Sequence, residues 1–189
     1  MILRNRAILY AVVIALLSVV CPVFAQQYNF LQYNVSTGLP HSQVLSIYQD
    51  KSGFVWIGTE GGLCRFDGKE FDVFDMSSGL PGNEVTAITE APEGLYFATD
   101  KGVALYAGGV FKPLIQQGTN RFTKVYSFAT ASKMILLATD NGLYKIVGNT
   151  IVKVNTGTPA DNLAVRTMLI DSKNRLWLGT DRNGLCQID

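Results

Sequence analysis

The sequence has few of the residues that disulfide scaffolds, metal sites and nucleic-acid binding require. Its 189 positions include three cysteines, one histidine and only 16% charged residues. Sixteen Lys and Arg against fifteen Asp and Glu give a formal net charge of +1, so there is no electrostatic basis for binding nucleic acid. No Cys or His has the spacing of a zinc motif. We therefore expect no metal, no cofactor and no nucleic-acid partner.

The N-terminus has the pattern of a secretory signal peptide. Arg4 and Arg6 precede an apolar run from Ala7 to Val20, and the segment ends in Val23-Phe24-Ala25, with small residues at the positions that a signal peptidase reads. The run is shorter than the about 20 residues of a membrane span, and Pro22 interrupts its end. We predict that residues 1–25 are removed after Ala25, so that the mature chain is periplasmic and not held in the membrane.

Cys64 and Cys186 remain after that cleavage, and both follow a Gly-Leu pair. They hold equivalent places in two repeats of one pattern, so they lie on separate sheets, too far apart for a disulfide. We expect both to be free thiols.

One sequence pattern is repeated four times along the chain. The second apolar segment of each repeat ends at a threonine; these are Thr59, Thr99, Thr139 and Thr180, which are separated by 40, 40 and 41 residues. A period near forty with several short apolar runs is typical of β-propeller blades. Gly, Asp and Asn clusters separate the runs, as expected of turns between strands. The prediction is an all-β propeller of four-stranded antiparallel blades, at about 44–75, 85–115, 125–155 and 165–189.

An additional strand precedes the first repeat. Phe30 to Tyr33, with the Gly-Leu-Pro that follows, matches Phe71 to Phe74 at an offset of 41 residues. This similarity predicts an outer strand over residues 28–35. Two interpretations stay open: that strand completes the fourth blade and closes a four-blade ring, or the chain is a segment of a longer ring.

The first and fourth repeats closely resemble the two-component regulator propeller repeat, which occurs in exported sensor regions of bacterial histidine kinases and hybrid sensors. The resemblance is carried by Gly53, Trp56–Thr59, Gly62–Leu63, Asp171, Trp177–Thr180 and Gly184–Leu185. It implies a ligand-sensing input segment, with an oligosaccharide as the ligand and a downstream histidine kinase domain or partner protein. No kinase core or catalytic constellation is present, so we predict that this segment is not an enzyme.

Several repeated residues are interpreted as structural. Trp56 and Trp177 are expected to pack between blades, with Phe97 and Leu137 in the equivalent places of the other two. Small residues near the end of each second strand permit close approach of the neighbouring blade; they are Gly58, Ala98, Ala138 and Gly179. The acids Asp100, Asp140 and Asp181 are expected to form Asx turns between strands two and three, because one carboxylate per turn is too few for calcium.

Strand alternation places the turn between strands two and three on the same face as the loops between blades. Ligand-binding residues are expected in such loops. The candidates are His41, Glu60, Asn83, Asp100, Arg121, Asp140, Asn141, Asp181 and Arg182. Two alternatives remain: a stand-alone four-blade protein-interaction module, and a propeller lyase or hydrolase using His41.

Overall fold

The computed structural model describes residues 30–118, 121–131, 134–157 and 159–188. The predicted signal peptide and its cleavage site lie outside the described residues. The chain divides into two compact units, residues 1–32 and 33–189. Of the first unit only residues 30–32 are described, and they form no helix or strand. All sheets belong to the second unit.

The first two repeats each form a four-stranded antiparallel sheet whose strands follow chain order. Hydrophobic and β-branched residues build the strands, and turns containing Gly or Asp separate them. Blade 1 consists of β1 (Val44–Gln49), β2 (Val55–Thr59), β3 (Leu63–Phe66) and β4 (Phe71–Phe74). Blade 2 consists of β5 (Val85–Ala91), β6 (Gly94–Thr99), β7 (Gly102–Ala107) and β8 (Val110–Pro113). These sheets confirm the predicted all-β class.

The last two repeats follow the same plan with one addition. The short strand β9 (Ile115–Gln116) leaves blade 2 and pairs in parallel with the outermost strand of blade 3. Blade 3 consists of β10 (Val125–Ala131), β11 (Met134–Thr139), β12 (Gly142–Val147) and β13 (Thr150–Val154). Blade 4 consists of β14 (Val165–Ile170), β15 (Leu176–Thr180) and β16 (Leu185–Ile188). Three 3-10 helices lie in the connecting loops: η1 (Val35–Thr37), η2 (Met76–Ser78) and η3 (Pro159–Asn162).

The predicted outer strand over residues 28–35 differs from the structure. Among its described residues, 30–34 form no strand and Val35 begins helix η1. The Asn34 side chain accepts a hydrogen bond from the Ser36 N–H at 2.9 Å, and Gly38 ends the turn with φ of 118°. The same cap follows β4, where Asp75 and Gly79 flank helix η2, so capping does not exclude a strand before it. Residues 30–34 instead have no partner strand among the described residues. Within the described residues, the sheet of blade 4 contains only its three strands.

Aromatic residues fill the space between blades 1 and 2. Trp56 is 1% exposed, and its ring centroid lies 5.1 Å from that of Phe97 and 5.3 Å from that of Tyr106. Packing between blades, as predicted for Trp56, is confirmed. The prediction that Phe97 and Leu137 take the place of Trp56 in blades 2 and 3 is wrong by one residue. Strand pairing places Tyr96 and Leu136 at the Trp56 position. Because successive strand residues face opposite sides, Phe97 instead points back toward blade 1.

The close approach predicted at the small residues is confirmed at Gly58. A Cβ atom built there would lie 2.5 Å from the Val85 carbonyl oxygen and 2.3 Å from Ser46 Oγ. The Ser46 hydroxyl donates a hydrogen bond to that same carbonyl at 3.1 Å. This hydrogen bond joins the innermost strands of blades 1 and 2. It can form because Gly58 has no side chain to occupy the space.

Aspartates hold the turn before each tryptophan-containing strand. Asp50 Oδ2 accepts a hydrogen bond from the Trp56 indole N–H at 2.7 Å, and Asp171 Oδ2 accepts one from Trp177 at 3.0 Å. The other carboxylate oxygen of Asp171 accepts backbone N–H groups from Lys173 and Arg175. Hydrogen bonds from Trp177 and Arg175 to the charged carboxylate hold the pKa of Asp171 far below its usual range.

This shift predicts a loss of stability in acid. The folded-state pKa of Asp171 lies below the unfolded value of about 3.9, so its contribution is complete above about pH 4 and is lost as the pH falls through the folded pKa. We expect the urea midpoint of the wild type, relative to that of Asp171→Asn, to decrease below about pH 4. Glu60→Gln is the control, because that carboxylate accepts no hydrogen bond from the described residues. An Asp171→Asn difference independent of pH would contradict the assignment.

Candidate functional site

The loops predicted to share one face do lie beside one another. In each blade, the residue after the repeated threonine donates its N–H to a carbonyl of the loop that leads into the same blade. The four pairs are Glu60 with Gln43, Asp100 with Glu84, Asp140 with Lys124, and Asp181 with Ala164. We call the surface made by these turns and the loops before each blade the loop face.

The repeated threonine closes each turn of the loop face. Thr99 Oγ1 donates to the Gly102 carbonyl at 3.0 Å and accepts the Lys101 N–H at 3.2 Å. Thr59, Thr139 and Thr180 make the corresponding pair of hydrogen bonds in the other blades. The side chain after each threonine is therefore held at a defined position.

The structure corrects the predicted role of the acids in these turns. Asp100 Oδ1 accepts the backbone N–H of Glu84 at 3.3 Å, and Asp140 Oδ1 accepts that of Lys124 at 3.1 Å. Asp181 pairs with the Arg166 guanidinium, which lowers the pKa of the Asp181 carboxyl. Asp100 and Asp140 therefore bind residues that precede their blades, and Asp181 binds a residue of strand β14 in its own blade. Among the described residues, none of the three carboxylates forms an Asx turn within its hairpin. The sequence pattern could not show this, because the partners lie about 16 residues away.

A cleft of about 290 Å³ lies in the loop face between blades 2 and 3. It is lined by Asp100, Lys101, Gln116, Arg121, Phe122 and Thr123. The Phe122 side chain is buried, and its ring centroid lies 4.9 Å from that of Tyr144 in blade 3. One wall is thus fixed to the hydrophobic core, while the remaining lining residues are polar or charged.

Two groups in this cleft lack protein partners. The Arg121 side chain is exposed and makes no hydrogen bond or ion pair with the residues that the structure describes. Gln116 donates through Nε2 to the Phe122 carbonyl at 3.5 Å, but its Oε1 is buried without a partner in the described part of the chain. Buried acceptors are normally satisfied, so Gln116 Oε1 is an exception among the described residues. With Arg121 and Lys101 both in its lining, the cleft suits a ligand that carries an anionic group.

Two of the predicted site residues, Asp100 and Arg121, line this cleft together. Two other predicted residues, Asp140 and Asn141, do not line the cleft but form hydrogen bonds with residues that do. Asn141 Nδ2 donates to the Arg121 carbonyl at 3.3 Å, and Asp140 accepts hydrogen bonds from both the backbone N–H and the hydroxyl of Thr123. Sequence reasoning did not select Gln116, Phe122 and Thr123 as candidates. Only the pairing of β9 with blade 3 brings Gln116 to this position.

The other predicted residues do not line the cleft. His41 Nδ1 accepts the Gln43 N–H at 3.2 Å, and Asn83 Oδ1 accepts the Met76 N–H at 3.1 Å, so both stabilise their own loops. Glu60 and Arg182 are exposed on the turns of blades 1 and 4. Asp181 is paired with Arg166 as described above.

A larger cleft of about 490 Å³ lies at the opposite ends of blades 1 and 2, a region that sequence reasoning passed over. Apart from Glu93, its charged groups have protein partners among the described residues. Arg65 pairs with Asp72 at 2.6 Å and lies over the Phe54 ring at 4.6 Å, and Glu90 accepts the Lys51 N–H at 3.1 Å. We therefore take the cleft in the loop face as the candidate site.

Other kinds of site find no support in the described ranges. No group of three His, Cys, Asp or Glu side chains there could hold a metal ion. No helix in that part of the chain has the length and apolar character needed to span a membrane. Cys64 and Cys186 are free, and burial raises the pKa of the Cys64 thiol to about 11, which leaves it unreactive.

The resemblance seen in the sequence is confirmed by comparison with known families. The two component regulator propeller family matches residues 38–61 and 159–182, within the first and fourth repeats. A protein named histidine kinase P4 from Formosa agariphila is 31% identical over 72 residues, or 38% of this chain. The present chain spans only 5% of the length of that kinase.

Solved structures share the fold. The extracellular domain of a putative hybrid two component system from B. thetaiotaomicron matches 85% of this chain with a TM-score of 0.71 and 24% identity, and 25% of that domain is covered. Virginiamycin B lyase from Staphylococcus aureus matches 80% of the chain with a TM-score of 0.61 but only 16% identity, over 57% of the lyase. At these identities the structures establish a common propeller-type fold and nothing about activity.

Proposed function

We propose that this chain, which carries two component regulator propeller repeats, belongs to the exported input region of a two-component sensor. The repeat matches, the local similarity to a histidine kinase and the signal-like N-terminus support this role. Its output is the histidine kinase domain of the same system, reached directly or through a partner protein. Cleavage after Ala25 places the blades in the periplasm.

The proposed ligand is an oligosaccharide that contains an acidic sugar, bound in the loop-face cleft between blades 2 and 3. The observation that carries this assignment is the guanidinium of Arg121, which lines the cleft and makes no hydrogen bond or ion pair with the described residues. A planar guanidinium can hold a carboxylate with two parallel hydrogen bonds. Lys101 adds a second positive charge at the rim.

Binding without catalysis is the role that these residues support. His41, the best candidate for acid–base chemistry, lies outside the cleft and uses Nδ1 to accept a backbone N–H from its own loop. The cleft residues Asp100 and Thr123 are engaged by protein hydrogen bonds. The similarity to virginiamycin B lyase extends only to the fold.

Isothermal titration calorimetry against neutral and uronic-acid-containing oligosaccharides tests the proposal. We expect an acidic oligosaccharide to bind, and Arg121→Ala to raise its dissociation constant at least about tenfold, equivalent to about 1.4 kcal/mol. Arg121 makes no side-chain hydrogen bond or ion pair with the described residues, so this substitution leaves the fold intact.

Arg182→Ala is the matched control. Arg182 is also an exposed arginine of the loop face, but it lies in blade 4 outside the cleft. We expect it to leave the dissociation constant unchanged. Equal weakening by both substitutions would mean nonspecific charge attraction. Absence of binding across the panel would exclude an oligosaccharide ligand.

A further inference from the structure

The larger cleft, between blades 1 and 2 at the ends opposite the loop face, has an equivalent between blades 2 and 3. Its volume is about 490 Å³, and that of its equivalent is about 120 Å³. Strand pairing aligns the two, because Trp56 and Tyr106 of the first correspond to Tyr96 and Ile146 of the second. We call the first the blade-end cleft and the second the small cleft.

Aliphatic side chains close this groove wherever blades simply pack on one another. Between blades 2 and 3, Ile135 is buried and Ile146, at the Tyr106 position, packs against the same core. Between blades 3 and 4, Leu176 and Ile188 take the corresponding places and also pack against the core. An open groove between blades 1 and 2 is therefore not a requirement of the fold.

Aromatic and charged groups line the blade-end cleft instead. Arg65 takes the position that Leu105 holds in blade 2. Its guanidinium pairs with Asp72 at 2.6 Å and lies over the Phe54 ring at 4.6 Å, so this wall is held in place by protein contacts. Tyr106 forms part of the opposite wall and is half-buried. The cleft thus offers a fixed aromatic surface that remains open to solvent.

Glu93 gives the blade-end cleft its unpaired charge. It is exposed in the turn between β5 and β6 and makes no hydrogen bond or ion pair with the described residues. The other acids are engaged, since Asp50 accepts an indole N–H at 2.7 Å and Glu90 accepts the Lys51 N–H at 3.1 Å. The two cations of the lining, Lys51 and Arg65, are paired with carboxylates. The charge left for a ligand is therefore negative, and a cation complements it.

We propose that the blade-end cleft is a second binding site, for a small organic molecule with an ammonium group beside an aromatic or apolar portion. The ammonium group pairs with the Glu93 carboxylate, and the apolar portion packs on the Tyr106 ring. The face of a tyrosine ring also attracts a nearby cation. This site does not depend on the acidic ligand proposed for the loop face, which carries the opposite charge.

An NMR titration of the isotopically labelled 189-residue chain tests the site. Phenethylamine is the probe and phenethyl alcohol its neutral match, because the two share a ring and a chain length. We expect the amine to bind at least about threefold more tightly, as an exposed ion pair allows, and this difference to shrink as salt is added. Glu93 borders both clefts, so the position is read from two glycines. The Gly108 amide of the blade-end cleft should shift, and the Gly148 amide of the small cleft should not.

Glu93→Gln should remove the difference in affinity between the two probes and leave the binding of phenethyl alcohol unchanged. Glu60→Gln is the matched control, because Glu60 is an exposed glutamate of the loop face, at the other end of the blades. It should preserve the difference. Absence of amine binding, equal affinity of the wild type for both probes, or a difference that survives in Glu93→Gln would overturn the proposal. A difference lost equally in Glu60→Gln, or a shift at Gly148 in place of Gly108, would overturn it as well.

Discussion

Trp56→Ala is expected to lower the free energy of unfolding by about 3–5 kcal/mol, the usual loss on truncating a buried tryptophan. The Trp56 ring is enclosed by Phe74, Phe97 and Tyr106, with centroids 5.1–5.8 Å away. Alanine leaves a cavity between two rigid sheets, which cannot close around it without losing strand pairing. Urea denaturation followed by circular dichroism measures the loss.

Trp177→Ala is the matched comparison. Both indoles donate to an aspartate, at 2.7 Å in blade 1 and 3.0 Å in blade 4, so each substitution removes one similar hydrogen bond. Trp177 is only half-buried, and we expect a loss of about 1–2 kcal/mol. Equal losses would show that the aspartate bond, and not packing between blades, makes the tryptophans important.

Gly58→Ala is expected to cost about 1–3 kcal/mol, although alanine suits strands better than glycine. The added Cβ would meet Ser46 Oγ at 2.3 Å and the Val85 carbonyl oxygen at 2.5 Å. The backbone of blade 2 must move away from blade 1, which weakens the Ser46–Val85 hydrogen bond. Gly179→Ala is the control, since its Cβ would approach only the Thr167 side chain closely. A rotation of Thr167 relieves that contact, and we expect a smaller effect.

The double variant Ser46→Ala/Gly58→Ala tests the cause of this loss. It reproduces the pair found in blade 2, where Ala87 lies opposite Ala98. We expect the double variant to be less destabilised than the sum of the two single changes, by about 1 kcal/mol, because removing Ser46 Oγ makes room for the new methyl group. A double-mutant cycle in urea measures this coupling, and simple additivity would mean that the clash with Val85 alone sets the cost.

Local patterns in the sequence were sufficient to predict the strands. The turn glycines and the repeated threonine mark the hairpins, and every described strand except β9 lies within residues 44–75, 85–115, 125–155 or 165–189. The errors arose where a position had to be counted across repeats or where a strand-like segment has no partner strand. Tyr96, and not Phe97, is equivalent to Trp56, and residues 30–33 pair with no strand of the described residues, although they match β4 in sequence.

The sequence predicted the face of the blades on which the candidate site lies, but it did not predict the cleft itself. Alternating strand direction places the turns and connecting loops together, so Asp100 and Arg121 could be selected. Their convergence with Gln116 depends on β9 pairing with blade 3, for which residues 115–116 carry no sequence signal. The carboxylate partners likewise come from another segment, as with Asp140 and Thr123, which are 17 residues apart.

The sequence by itself determined that residues 44–188 form four propeller-type blades, because strand period, turn residues and repeat length are properties of neighbouring positions. The tertiary structure alone decided which groups keep a partner and which remain free. Contacts such as that of Ser46 with Val85 join residues 39 positions apart, and they form only when one blade packs on the next. Arg121, whose side chain has no partner among the residues that the structure describes, remains after that packing and carries the proposed ligand site.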